Sequence, residues 1–283
     1  MRFANVNGRA CVAQGEHFFD IAQASGGRFS CDVQSAYSRW GELIAWFAAD
    51  FSADGRSPAL GPFGAPVPAP SQAFGIGLNY ADHAHEAGLQ SPKSPLVFPK
   101  FTSCIAGPHD GLFLDNDTVD WEVELVVVIG SGGRNVEPAA AWAHVAGLTI
   151  GQDISDRALQ FSDPSTPQFG LGKSKPGYGP IGPVVVTADE LDDPNSLAIT
   201  CAVNGEKVQD SNTNQLIFDV PALVSYLSSV VILRPGDVIF TGTPSGVGLG
   251  RKPQVWLAPG DELVSYITGI GELRQRFVPA PRS

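Results

Sequence analysis

Cysteine is scarce and scattered: Cys11, Cys31, Cys104 and Cys201 are the only four in 283 residues, with no CxxC pair and no zinc-type spacing. That excludes a disulfide framework or a structural zinc site, and we expect reduced thiols in a cytoplasmic protein. No apolar run approaches the roughly 18 residues needed to cross a bilayer. The N-terminal stretch MRFANVNGRACVAQG also lacks the apolar core of a secretory signal, so no membrane association is expected. Positive charge is short as well: 18 Lys and Arg face 29 Asp and Glu, a net charge of −11 without any basic cluster. This argues against nucleic acid as a partner. The sequence has no GxSxG elbow and no GxxxxGK[ST] loop. GIGLNYADHAHEAG offers Gly75 and Gly77, but the third glycine of a dinucleotide fingerprint is missing and no βαβ series follows.

Glycine (32) and proline (23) are abundant, and hydrophobic residues make up 43% of the chain. Long amphipathic helices are few, which predicts an α+β fold, mostly β, with ample core. One helix is expected near SAYSRWGELIAWFAADF, followed by the Pro/Gly/Ala/Ser-rich stretch SADGRSPALGPFGAPVPAPSQ, which reads as an extended linker. We therefore set a small N-terminal α/β domain and linker at 1–66 and a catalytic domain at 67–283. In the latter, DVPALVSYLSSVV is expected to be a helix capped by Asp219, with Pro221 in its first turn. RPGDVIF and APGDELV are two similar turn-then-strand units.

VDWEVELVVVIG, residues 119–130, carries Asp120, Glu122 and Glu124 on the same alternating face as Val126 and Val128. Leu125, Val127 and Ile129 make the other face apolar, the pattern of a strand covered on both sides. Buried neighbouring carboxylates repel, and a shared proton, a basic partner or a divalent cation relieves this. With nothing basic close by in sequence, a cation is attractive; acids projecting into solvent from a strand end are the plainer alternative. Asp153 in GQDISDRALQ is a possible third carboxylate. Arg157 and Gln160 follow at helical offsets, either as donors to an anionic substrate oxygen or with Arg157 paired to Asp153 or Asp156. His83 and Glu86 lie three apart and share a helical face, so they could form a base pair for water or merely a polar surface. Lys173 sits amid Gly and Pro in GLGKSKPGYGPIGP. TGTPSGVG, 241–248, is a Gly-rich turn whose backbone N–H groups suit a carboxylate or phosphate.

Together, NYADHAHE, DWEVELVVVIG, GQDISDRALQ, GKSKPGYGPIGP, VNGEKVQDSNT, PGDVIFTGTPSGVG and GIGELRQRF, in this order from about residue 73 onward, resemble the fumarylacetoacetate hydrolase family. The resemblance implies a mixed β-roll with flanking helices, preceded by a smaller N-terminal domain, and a homodimer. It implies Glu122, Glu124 and Asp153 as ligands of Mg²⁺ or Mn²⁺, with Ca²⁺ also used in the family. His83 and Glu86 would activate water, with Lys173, Arg157 and Gln160 near the reacting oxygen and Tyr80, Gly242 and Thr243 at the substrate. The implied reaction is metal-dependent hydrolysis of a C–C bond in a 2,4-dioxo acid, an acylpyruvate or a deoxy sugar-acid derivative, to pyruvate and a carboxylic acid. Oxaloacetate decarboxylation and isomerisation or hydration of dienoic acids are the alternatives on the same site. Asp120 is left a rim or supporting role, and His85 a place at the rim. Where many relatives have a Phe–Asp pair after GKS, this chain has Lys175 and Pro176, which would put an extra positive charge by the mouth.

Overall fold

Strand-forming stretches dominate the computed structural model, which describes residues 1–82 and 90–280. His83, His85 and Glu86 thus lie outside the described residues. The main sheet has eleven strands. Its path runs His17–Asp20, Arg9–Gln14, Arg2–Val6, Gly179–Val186, Val145–Gln152, Val123–Ile129, Val238–Phe240, Ala73–Gly77 and Leu96–Lys100. A second sheet of five strands is ordered Glu206–Asn212, Ala198–Val203, Glu262–Ile267, Gly271–Pro279 and Gly111–Leu114. The fold is mostly β, as the composition predicts, and mixed with flanking helices, as the resemblance implies.

Val123–Ile129 lies inside the main sheet and is buried along its whole length. Leu125, Val127 and Ile129 pack with Ile199, Leu263 and Leu273 of the second sheet and with Leu223, Val224 and Leu227 of the helix Val220–Val230. Val126 and Val128 pack on the opposite face with Phe240, Phe3, Tyr37 and Trp40. The last three form an aromatic cluster, Tyr37 stacking on Trp40 at 5.1 Å and Phe3 meeting both edge-on. The N-terminal segment set apart in the sequence thereby covers one face of the main sheet. It also extends that sheet, since Arg2–Val6 pairs antiparallel with Gly179–Val186.

Local signals hold at several boundaries. Asp219 accepts the Ala222 N–H at 2.9 Å to cap Val220–Val230, with Pro221 in its first turn. The two turn units share one device: Asp237 accepts the Arg234 N–H at 2.8 Å, and Asp261 the Ala258 N–H at 2.7 Å. Among the described residues, no helix is long and apolar enough to cross a membrane.

Candidate metal centre and its cavity

The acid-bearing stretch is not one continuous strand. Val119–Asp120 pairs with Ser155–Asp156 in a two-stranded sheet, Val123–Ile129 enters the main sheet, and Trp121 and Glu122 fall between. Where the ladder lapses, the Glu122 N–H donates to Gln152 Oε1 at 2.8 Å, and the Gln152 amide donates to Ser265 Oγ at 2.8 Å. The Asp153 N–H donates to the Glu122 carbonyl at 2.9 Å. Asp153, the first residue beyond the strand Val145–Gln152, is thus set beside Glu122.

This places one carboxylate oxygen from each of Glu122, Glu124 and Asp153 within 4.8 Å of one another. They are 6%, 1% and 0% exposed, so solvent does little to screen their repulsion. Burial first, then the nearby Asp153 and Glu122, holds the Glu124 carboxyl well above the usual carboxylate range, against the pull of Lys173 and the Gly242 N–H.

Basic partners absent from the local sequence arrive from elsewhere in the chain. Lys173 Nζ donates to Glu122 Oε2 at 2.5 Å and Asp153 Oδ2 at 2.7 Å. Lys100 Nζ donates to Asp153 Oδ1 at 2.5 Å and to the Lys173 carbonyl. Arg157 donates to Glu122 Oε1 at 2.7 Å and twice to Asp120 Oδ2, at 2.9 and 2.7 Å, rather than pairing with Asp153 or Asp156. Burial works against the charges of Lys100 and Arg157, but Asp153 for the first and Glu122 with Asp120 for the second raise both above their ordinary values.

Asp120 is not at the rim: it is fully buried, and besides Arg157 it accepts the Gly248 N–H at 2.7 Å and the Leu249 N–H at 3.1 Å. The Gly-rich turn does cradle anions, but they are the chain's own, for Gly242 likewise donates its N–H to Glu124 Oε2 at 2.9 Å. Gly242 has φ +101°, and a Cβ there would lie 2.8 Å from that of Asn79, so only glycine brings this N–H to Glu124 without strain.

With every group ionised, the four carboxylates of Asp120, Glu122, Glu124 and Asp153 face three cations and leave one negative charge. Three buried, all-oxygen donors with this residual charge fit a hard divalent cation such as Mg²⁺, Mn²⁺ or Ca²⁺. The Lys173 ammonium, already bridging two of them, shows that the cradle accepts positive charge.

Glu122, Glu124, Lys173, Arg157, Gln160 and Thr243 line a cavity of about 200 Å³. Its remaining wall is largely apolar, from Ile76, Leu78, Leu96, Phe98, Phe161 and Phe169. Phe98 and Phe169 stack at 5.9 Å, and Phe161 meets Phe169 edge-on at 6.3 Å. Leu78 takes a left-handed backbone, φ +54°, rare for an aliphatic side chain. Its neighbour Asn79 secures this turn through the Thr241 carbonyl at 2.8 Å and the Phe218 N–H at 2.8 Å. Arg157 Nη1 donates to Gln160 Oε1 at 2.8 Å, which fixes the carboxamide and leaves its NH₂ as a donor.

Other candidates are placed differently. Thr243 reaches the cavity, but its hydroxyl donates to the Val123 carbonyl at 2.9 Å and accepts from Gln209 at 2.8 Å. Tyr80 is fully buried outside the cavity wall, and its hydroxyl has no hydrogen-bond partner among the described residues. Burial, then Glu124 and Asp82, raises its pKa, so it stays a phenol. Lys175 is not among the residues that line the cavity: it pairs with Asp115 at 2.6 Å and with buried Asp156 at 2.5 Å.

Sequence reasoning missed Lys100, Gln152 and Gln209. Lys100 was findable, since it follows Phe98 by two in a strand and therefore shares its inward face. Gln209, which accepts the Val123 N–H at 3.0 Å and ties down Thr243, carries no comparable signal.

The fumarylacetoacetate (FAA) hydrolase C-terminal family model matches residues 72–278. The mitochondrial oxaloacetate tautomerase of Bos taurus is 45% identical over 218 residues, 76% of this chain and 69% of the bovine protein. A Mycobacterium smegmatis protein provisionally named HpcE superposes with a TM-score of 0.95 at 52% identity, covering 99% of this chain and 100% of that one. The maleylpyruvate hydrolase of Sphingobium sp. SYK-6, solved with manganese(II) and pyruvate, superposes with a TM-score of 0.82 at 28% identity, covering 99% and 100%.

Proposed function

Because the chain belongs to the fumarylacetoacetate hydrolase family, we propose that it is a divalent-metal-dependent hydrolase cleaving a C–C bond of a 2,4-dioxo acid. The observation that carries this reading is the buried trio Glu122, Glu124 and Asp153, two of whose members, Glu122 and Glu124, line one cavity with Lys173, Arg157 and Gln160. Held by the trio, Mg²⁺ or Mn²⁺ would supply Lewis-acid stabilisation of charge on the oxo-acid oxygens. The pyruvate and manganese bound to the Sphingobium hydrolase support both choices.

The chain's own groups then divide the work. Lys173 has three N–H donors, and the described residues engage two of them, on Glu122 and Asp153, so the third can serve a substrate oxygen. The Gln160 NH₂, steadied by Arg157, is a second donor for that oxygen. His83, with Glu86 as partner, takes a proton from water. The water oxygen bonds to the distal carbonyl carbon, and the bond from that carbon to the methylene breaks. Its electron pair leaves with the pyruvate enolate, which takes up a proton, and the other fragment departs as a carboxylate with release of one proton. The apolar wall keeps competing water away from the enolate.

Pyruvate release from acylpyruvates, measured with Mg²⁺ or Mn²⁺ and again with chelator, tests the reading. Metal-dependent release is expected, and His83→Ala should bind metal normally while losing hydrolysis. Absence of pyruvate from every acylpyruvate, with metal shown to be bound, would overturn it. The 45% identity to the bovine tautomerase favours one second reading, keto–enol interconversion of oxaloacetate in the same cradle. That reaction needs no attacking water, so it should yield no acid fragment.

A further inference from the structure

We propose that the substrate carries a single carboxylate and that its far end is an apolar tail. This rests on the reading of the cavity as a 2-oxo-acid site. Seven apolar side chains line the cavity, and two of them, Leu96 and Phe161, remain 40% and 38% exposed. Exposed apolar rim beside Leu78, a wall residue held in a left-handed backbone by the hydrogen bonds of Asn79, is surface that an apolar ligand would cover.

A second carboxylate finds no partner among the described residues that line the cavity. Their only cations are Arg157 and Lys173, and each is already ion-paired to the acids. Lys175, the charge that distinguishes the GKS segment, is taken by Asp115 and Asp156. The charge balance points the same way. With every group ionised, as binding of a divalent cation to the carboxylates requires, the acid–base cluster carries one net negative charge, the cation makes it positive by one, and a monoanionic oxo acid brings the buried site to neutrality. A dianion would leave an uncompensated charge against an apolar wall. A polyhydroxylated tail fares no better, because the Thr243 hydroxyl is already committed to Val123 and Gln209.

Binding of simple 2-oxo acids tests this without turnover. The full chain loaded with Mn²⁺ is titrated calorimetrically with pyruvate, 2-oxohexanoate and 2-oxoglutarate. Each buried methylene should tighten binding about fourfold, so 2-oxohexanoate should bind at least tenfold tighter than pyruvate. It should exceed 2-oxoglutarate by at least roughly tenfold as well. Phe169→Ala should compress the ratio of 2-oxohexanoate to pyruvate. Equal or tighter binding of 2-oxoglutarate, or no gain with tail length, would overturn the inference. Should 2-oxohexanoate win while no acylpyruvate yields pyruvate, the tail assignment stands and the hydrolase reading falls.

Discussion

The two ends of the strand Val123–Ile129 are equally dry and chemically opposite. Val126 and Val128 sit among aromatic and aliphatic neighbours, where each buried methylene stabilises the fold by about 0.8 kcal/mol. Glu124, on the same face and just as buried, is there against its own desolvation and against Glu122 and Asp153. Lys100, Lys173 and Arg157, with the N–H groups of Gly242, Gly248 and Leu249, offset that cost around the acid cluster. Burial is therefore not one force along this strand. It makes structure at one end and, at the other, stores an electrostatic demand that a cation can answer.

Substitutions at the two ends should separate these roles. Glu124→Gln is expected to lower kcat/KM about a thousandfold or more, roughly 4 kcal/mol, while leaving thermal stability unchanged or higher because repulsion is relieved. A large loss of stability, read by thermal denaturation, would show that the acid end supports the fold after all. Asp120→Asn removes the charge that positions Arg157, and the apparent metal affinity or turnover should fall about 10- to 100-fold, measured by metal titration. At the opposite end, Val128→Ala should cost about 2 kcal/mol in denaturant unfolding and leave kcat/KM per folded molecule intact. Lys175→Met tests whether its pair with Asp115 and Asp156 is structural: stability should fall by about 1–2 kcal/mol because buried Asp156 loses its cation, with no change in substrate preference. The smallest probe is chemical. Burial pushes the thiols of Cys11 and Cys201 up to about 12, so at pH 8 both stay protonated. Iodoacetamide followed by peptide mapping should then label partly exposed Cys31 and spare the other three cysteines, all buried. Labelling of Cys201, which lies 3.4 Å from the Gln152 amide that braces Glu122, would reveal opening at the acid end.

Much of this contrast was legible in the sequence, because it depends on periods and caps that act over a few residues. Alternation along 119–130 identified both faces of the strand, and Asp219 with Pro221 located a helix start. The interruption at Trp121 and Glu122 was not legible, since the alternation runs through it unbroken; Gln152, a side chain from the neighbouring strand, replaces the missing ladder bond. The partners of Arg157 were equally hidden. Two acids stood near it in sequence, yet it reaches Asp120 and Glu122, 37 and 35 positions away.

The amino-acid order by itself determined the apolar faces of the strands and the row of acids on one of them, and left those acids with two readings, a buried cation site or a solvent-facing strand end. It also carried the ordered motifs that mark the family. Only the tertiary structure decided how the buried charge is balanced: Lys100 and Lys173 on Asp153, Arg157 on Asp120, and the N–H groups of the glycine-rich turn on the chain's own carboxylates. The reason is physical. Hydrophobic periodicity is a local property of the chain, whereas Coulombic pairing depends on distances that exist only once remote segments have been packed together.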